Sequence, residues 1–193
     1  MQITLMRHGK PRLSSKKWVT PAGMRQWIDH YNLSDIEIDA IPPECMAAAA
    51  SARVIATSNL ARAKASIRAL GHIASTEDAL FAEAELPHAL WRAPHLPPNI
   101  WAIFFRVLWM LGYSRGAISL VDTRHRARAA AQQLIVAAGQ GPVLLVGHGI
   151  MNRLIGKELL ASGWIASTTH NSRYWGMGAY GKPAGANAAV TSA

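Results

Sequence analysis

At 193 residues, half of them hydrophobic, the chain is long enough for one domain with a full core, and no linker-like stretch divides it. Twenty Lys and Arg against eleven Asp and Glu give +9, which favours phosphorylated or polyanionic partners. The single Cys45 excludes an internal disulfide and suits a reducing compartment. The most apolar segment, 100–111, is too short to span a bilayer and carries Arg106. The sequence enters an apolar strand at once, without a basic and then apolar leader, so the expected location is the cytoplasm.

In chain order, Gln2 to Met6 is an apolar run with β-branched Ile3 and Thr4, read as a strand buried on both faces. It stops at Arg7-His8-Gly9, and a Lys-rich loop follows to Lys17. Thr20-Pro21 marks a helix start, with Met24, Trp27, Ile28 and Tyr31 on one face to about Asn32. Pro42-Pro43 opens an Ala-rich helix, and 53–57 is a second buried strand. Thr57-Ser58-Asn59-Leu60-Ala61-Arg62 then caps a helix to about Leu70, with Arg62 in its first turn, an anion-binding arrangement.

The stretch 80–87 alternates apolar residues with Glu83 and Glu85, which as a strand or strand edge turns both acids to one side. After a Pro-rich turn, 99–111 is an apolar helix holding Trp101, Phe104, Phe105 and Trp109. Core, lid over a ligand and dimer contact are all open readings of its apolar faces. A helix from Asp122 to about Ala138 carries Arg124, Arg126 and Arg128, read as a solvated face. Pro142 to Val146 is the clearest strand. It ends in Gly147-His148-Gly149 and leads into a helix from Ile150 to Ala161. A late strand spans about 174–180, and 181–193 is a Gly/Ala/Pro tail expected to fray.

Three strands thus end in Arg7-His8-Gly9, in Ser58 with Arg62, and in Gly147-His148-Gly149. If they are parallel neighbours, two His and two Arg gather at their carboxyl ends, where α/β sheets bind ligands. With the acid in Phe81-Ala82-Glu83, these motifs resemble the histidine phosphatase superfamily, the phosphoglycerate mutase-like group, over residues 1–180. The resemblance implies an α/β fold, a three-layer α/β/α sandwich around a mostly parallel sheet, and a single domain over 1–180. It implies that His8 is the nucleophile, that Arg7 and Arg62 clamp the phosphoryl group, and that His148 adds to the clamp if protonated or donating. Gly9, Ser14, Ser58 and Gly149 complete the substrate-binding set. Glu83 is the proton donor, with Glu85 the second candidate. Neither metal nor cofactor is implied.

The chemistry needs these residue types. A neutral imidazole attacks phosphorus, and neighbouring Arg7 and Arg62 disfavour a further positive charge on His8. Guanidiniums donate to the equatorial oxygens where charge accumulates.

The match departs from the family at Ser14, where mutase-type members place an Asn, and at Leu86-Pro87-His88, where a remodelled substrate side is implied. The chain also lacks the long insertions of the mutases. The favoured expectation is a phosphatase acting on a small phosphomonoester; an apolar body on that substrate follows only from the lid reading of 99–111. A protein phosphohistidine phosphatase and a phosphoglycerate mutase-type transferase are the alternatives. A basic phosphoanion- or nucleic-acid-binding module with an idle pocket is the non-enzymatic one, and aromatics interleaved with basic residues, which nucleic acid would call for, are not evident.

Overall fold

The computed structural model describes residues 1–13, 17–37, 40–168, 171 and 173–182. Its sheet comprises β1 (Gln2–Arg7), β2 (Val54–Thr57), β3 (Thr76–Glu77), β4 (Val143–Gly147), β5 (Ile165–Ala166) and β6 (Met177–Gly181), in the order β3-β2-β4-β1-β6-β5. β4 lies parallel between β1 and β2, so that Ile3 and Val54 both stand opposite Val143. β3 continues the parallel run, whereas β6 and β5 are antiparallel to their neighbours. The two-residue strands β3 and β5 have no signal in the sequence, being too short to show alternation.

Side chains along a strand face opposite sides, and both sides are covered here. Ile3, Leu5, Val54, Val143 and Leu145 pack in one apolar cluster with α5 (Leu120–Ala137) and α6 (Gly149–Ala161). Met6, Ile55, Leu144 and Val146 pack in another with α2 (Pro43–Ser51) and α3 (Ala61–Ala69). This is the three-layer α/β/α sandwich, and it explains why the central strands read as unbroken aliphatic runs. A third cluster, with Met24, Ala89, Trp101 and Phe105, joins α1 (Met24–Leu33) to α4 (Pro98–Met110) apart from both sheet faces.

Several expected boundaries shift. The segment before α1 is a turn in which Thr20 Oγ1 accepts the Gly23 N–H at 3.0 Å, so the helix proper starts at Met24. Residues 80–87 do not form a strand. A 3₁₀ turn, Ala79–Phe81, gives way to irregular chain, because the main-chain groups there find side-chain partners and not a ladder. The late strand begins only at Met177, after a turn in which Trp175 takes φ 61°. It includes Gly181, paired with Gln2, so that residue belongs to the sheet and not to the expected tail; 183–193 lie outside the described residues.

Apolar α4 divides cleanly. Trp101, Phe105 and Trp109, one turn apart, are buried, while Ile103, Phe104, Val107 and Met110 are exposed. Among the described residues no helix is long and apolar enough to cross a membrane.

Candidate active site

The three motifs converge because their strands are adjacent. Arg7 pairs with Gly147 and Thr57 with Val146, so His8, Ser58 and His148 each stand one residue past a strand end. The His8 N–H donates to Gly147 O at 3.0 Å, extending the ladder into the site. Asn152, one turn into α6, accepts the His148 N–H at 3.2 Å and donates to Met6 O at 2.9 Å, which ties two strand ends together. Gly9 donates to Ser66 Oγ at 2.9 Å, and Ser66 donates on to Arg62 O at 2.7 Å. A Cβ at Gly9 would lie 2.6 Å from the Trp175 ring, so the glycine of the first motif serves a close approach.

His8 is 1% exposed and His148 0%, with ring centroids 5.0 Å apart. His8 Nδ1 lies 2.7 Å from Gly9 O. A carbonyl oxygen only accepts, so Nδ1 carries a proton. Burial, followed by the Arg62 charge and to a smaller extent that of Arg7, pushes the ring's pKa down to about 3 against the opposing Gly9 bond. The ring is therefore neutral, and its lone pair sits on Nε2. The arginines act in the expected direction, but burial is the larger cause. Arg62 Nε–H donates to that same Nε2 at 3.2 Å.

His148 is also held neutral, its pKa far below the ordinary value, first by burial and then by His8, Arg62 and Arg7. The expectation of a protonated His148 is corrected; a donating one stands. Ser58 Oγ lies 2.6 Å from His148 Nε2 and accepts the Leu60 N–H at 3.3 Å. With the Ser58 hydroxyl donating to Nε2, the ring's proton sits on Nδ1, a buried nitrogen with no partner among the described residues.

Arg62 is 1% exposed, and its Nη1 donates to Tyr31 O at 3.2 Å and Asn32 Oδ1 at 3.3 Å. Its guanidinium lies over the Tyr31 ring and that of Arg7 over Tyr174. Burial pushes the Tyr31 hydroxyl up to about 12, so Tyr31 stays neutral.

Above these groups opens a cavity of about 1610 Å³ whose lining includes Arg7, Arg62, Glu83, Tyr31 and Tyr174, with Ile103 and Val107 of α4 among its apolar residues. Glu83 Oε1 accepts the N–H groups of Ala84 at 2.9 Å and Met151 at 3.0 Å, and Oε2 that of Ile150 at 3.4 Å. Its carboxyl thus sits at the start of α6, beside Gly149, where a Cβ would lie 3.6 Å from Arg7 Cζ. Glu85 is exposed and also lines the cavity, but its carboxyl accepts the Ile118 N–H at 2.8 Å and not the N–H groups at the start of α6. Ser14 lies outside the described residues.

Sequence reasoning missed Tyr31, Asn32, Tyr174, Asn152, Arg106 and Arg126 as parts of this site. Arg126 is not on a solvated face: it is half-buried, lines the cavity and donates to Glu83 O at 3.1 Å, unlike exposed Arg124 and Arg128. One signal was available for Arg106, the sole charge on an otherwise apolar helix. Among the described residues no group of three or more His, Cys, Asp or Glu is arranged to hold a metal ion.

The sheet order, with the solved structures it matches, defines the fold: it is phosphoglycerate mutase-like. No protein-family model and no curated protein matches the sequence. Solved structures do. The mycobacterial glucosyl-3-phosphoglycerate phosphatase in its complex with VO3 aligns with a TM-score of 0.56 at 20% identity, over 83% of this chain and 82% of that one. A functionally characterised open reading frame of Mycobacterium tuberculosis aligns at 0.54 and 16% identity, over 80% and 77%. A structure described as mycobacterial hydrolase 1 aligns at 0.54 and 20%, over 83% and 78%. At such identities the likeness is one of fold.

Proposed function

We propose that the protein is a metal-independent phosphatase that hydrolyses a phosphomonoester through a phosphohistidine on His8. The observation that carries this reading is the state of His8: buried, neutral, committed through Nδ1 to Gly9 O, and offering Nε2 toward Arg62. Nε2 attacks phosphorus in line as the bond to the leaving oxygen breaks. Arg62 exchanges its bond to Nε2 for the incoming phosphoryl oxygens, joined by Arg7 and by the Nδ1–H of His148. Glu83 gives its proton to the leaving oxygen, then takes one from the water that attacks the phosphoenzyme and releases phosphate. Ser58 fixes the His148 ring, and Gly9 and Gly149 keep backbone close to the phosphoryl group. Arginines, not carboxylates, surround the phosphoryl position, which supports a reaction run without a metal.

The substrate in this reading is small, with an apolar body lying along Ile103 and Val107, and the enzyme works in the cytoplasm. A fold-mate that is a phosphatase, known in complexes with VO3 and with inorganic phosphate, supports the phosphoryl half of the reading. The test is turnover, with and without chelator, on a panel of alkyl, sugar, aryl and isoprenoid phosphates, phosphoglycerates and a histidine-phosphorylated protein. Chelator-resistant release of phosphate from apolar monoesters, lost in His8→Ala, is the expected result. Activity surviving His8→Ala ends the proposal. Preference for the phosphoprotein, or phosphoryl transfer between phosphoglycerates, replaces it with one of its relatives.

A further inference from the structure

Residues 83–95 form neither helix nor strand, yet this stretch carries Glu83, whose carboxyl sits at the start of α6 beside the strand-end residues. Main-chain carbonyls in irregular chain need partners, and here three consecutive ones are taken by guanidiniums. Arg126 of α5 donates from Nη2 to Glu83 O at 3.1 Å. Arg106 of α4 donates from Nη2 to Ala84 O at 2.9 Å and from Nη1 to Glu85 O at 3.1 Å. The Arg106 guanidinium also lies 4.8 Å from the centre of the Trp109 ring, one turn along on the same helix, which fixes its direction. Neither arginine forms an ion pair among the described residues.

That choice of partner is informative. Burial lowers the proton affinity of both guanidiniums; the Glu83 charge opposes this at Arg106, and the charges of Glu85 and then Glu83 oppose it at Arg126. A half-buried cation in such a place ordinarily takes a carboxylate. Here both guanidiniums bond the main chain and neither bonds the Glu83 carboxyl, so they hold the segment and not the reacting group. The carboxyl is anchored separately, on the Ile150 and Met151 N–H groups of α6. Three helices therefore converge on one irregular segment.

We propose that Arg106 and Arg126 are positioning residues: by holding the carbonyls of residues 83–85 they set the distance between the Glu83 carboxyl and the leaving oxygen, and so govern which leaving groups the enzyme can expel. This rests on the reading of Glu83 as proton donor. A misplaced donor matters for an alkoxide leaving group, which must be protonated, and hardly at all for 4-nitrophenolate, which leaves as the anion.

The experiment compares kcat/KM, which reports formation of the phosphoenzyme and not its hydrolysis, for 4-nitrophenyl phosphate and for an alkyl phosphate in wild type, Glu83→Gln, Arg126→Met, Arg106→Met and Arg106→Lys. A displacement of about 1 Å lowers the alkyl rate roughly 10- to 100-fold, while the aryl rate changes by less than about threefold. Arg106→Lys keeps the charge but cannot span two carbonyls, so it shifts the aryl-to-alkyl ratio at least about threefold. This variant carries the test alone if the Met variants do not fold. Equal losses of kcat/KM on both substrates, or an unchanged aryl-to-alkyl ratio of kcat/KM in Arg106→Lys, overturns the proposal. If Glu83→Gln itself shows no split, the donor reading fails instead. If it shows one and the arginine variants do not, only the positioning role fails.

Discussion

The two sides of the cavity are built by different means. On one side His8, Ser58 and His148 stand one residue past three paired strands, and the sheet ladder sets their spacing. On the other, Glu83 stands on irregular chain held by side chains from α4 and α5 and by the start of α6. The first side draws its geometry from the same hydrogen bonds that make the fold. The second draws it from a few long-range contacts. Damage to the first should therefore cost stability as well as activity, and damage to the second mainly activity.

The largest effect expected on the strand-end side is that of Arg62→Ala. In the proposed reaction it removes a donor to the transferring group, with a loss of about 10³ in kcat/KM in steady-state assays, roughly 4 kcal/mol. A loss under about tenfold would break the comparison at its strongest point.

Acid should unfold the protein from this same side. His8 titrates at about 3 when folded and near 6.5 when unfolded, so between these values the unfolded chain binds the extra proton. Stability is complete above about pH 6.5 and falls on acidification, by roughly 1.4 kcal/mol per pH unit, or about 3 kcal/mol at pH 4. His148 adds to the slope in the same direction. Urea unfolding of wild type and His8→Gln across this range checks it, and the variant should show the shallower dependence.

Asn152→Ala sharpens the contrast further. It strips partners from the His148 N–H and Met6 O, both buried, and should cost about 2 kcal/mol of unfolding free energy. The smallest effect belongs to the opposite wall. Ile103 is 66% exposed, so Ile103→Ser should leave the unfolding midpoint unchanged while raising KM for an apolar ester by about fivefold, near 1 kcal/mol. An equal change for a sugar phosphate would show that this wall does not read the apolar body.

The same contrast explains what could be read from the sequence. Arg7-His8-Gly9 and Gly147-His148-Gly149 are legible because strand, turn and functional residue are contiguous, and parallel pairing brings them together. Ser58 and Arg62 are legible for the same reason, at a strand-to-helix junction. The neutrality of His148 is not, because it follows from burial under neighbours distant in sequence. Tyr31 and Asn32 meet Arg62 across some thirty residues, and Arg106 meets Ala84 across twenty-two. Alternation at 80–87 suggested a strand, but β2 and β3 already form that edge of the sheet and the segment's carbonyls go to arginines. The split of α4 into a buried aromatic stripe and an exposed, mostly aliphatic one depends on where α1 lies, which apolar composition alone does not encode.

The central claim concerns one nitrogen. In the proposed reaction the commitment of His8 Nδ1 to Gly9 O leaves Nε2 to carry the phosphoryl group. Rapid quench of the enzyme with a phosphorus-labelled aryl phosphate, followed by peptide mapping and phosphorus NMR of the denatured adduct, reads this directly. An acid-labile adduct on His8, bonded at Nε2 and absent in His8→Ala, is the predicted result. Phosphate on Nδ1 or on another residue, or turnover with no adduct at all, would contradict the account.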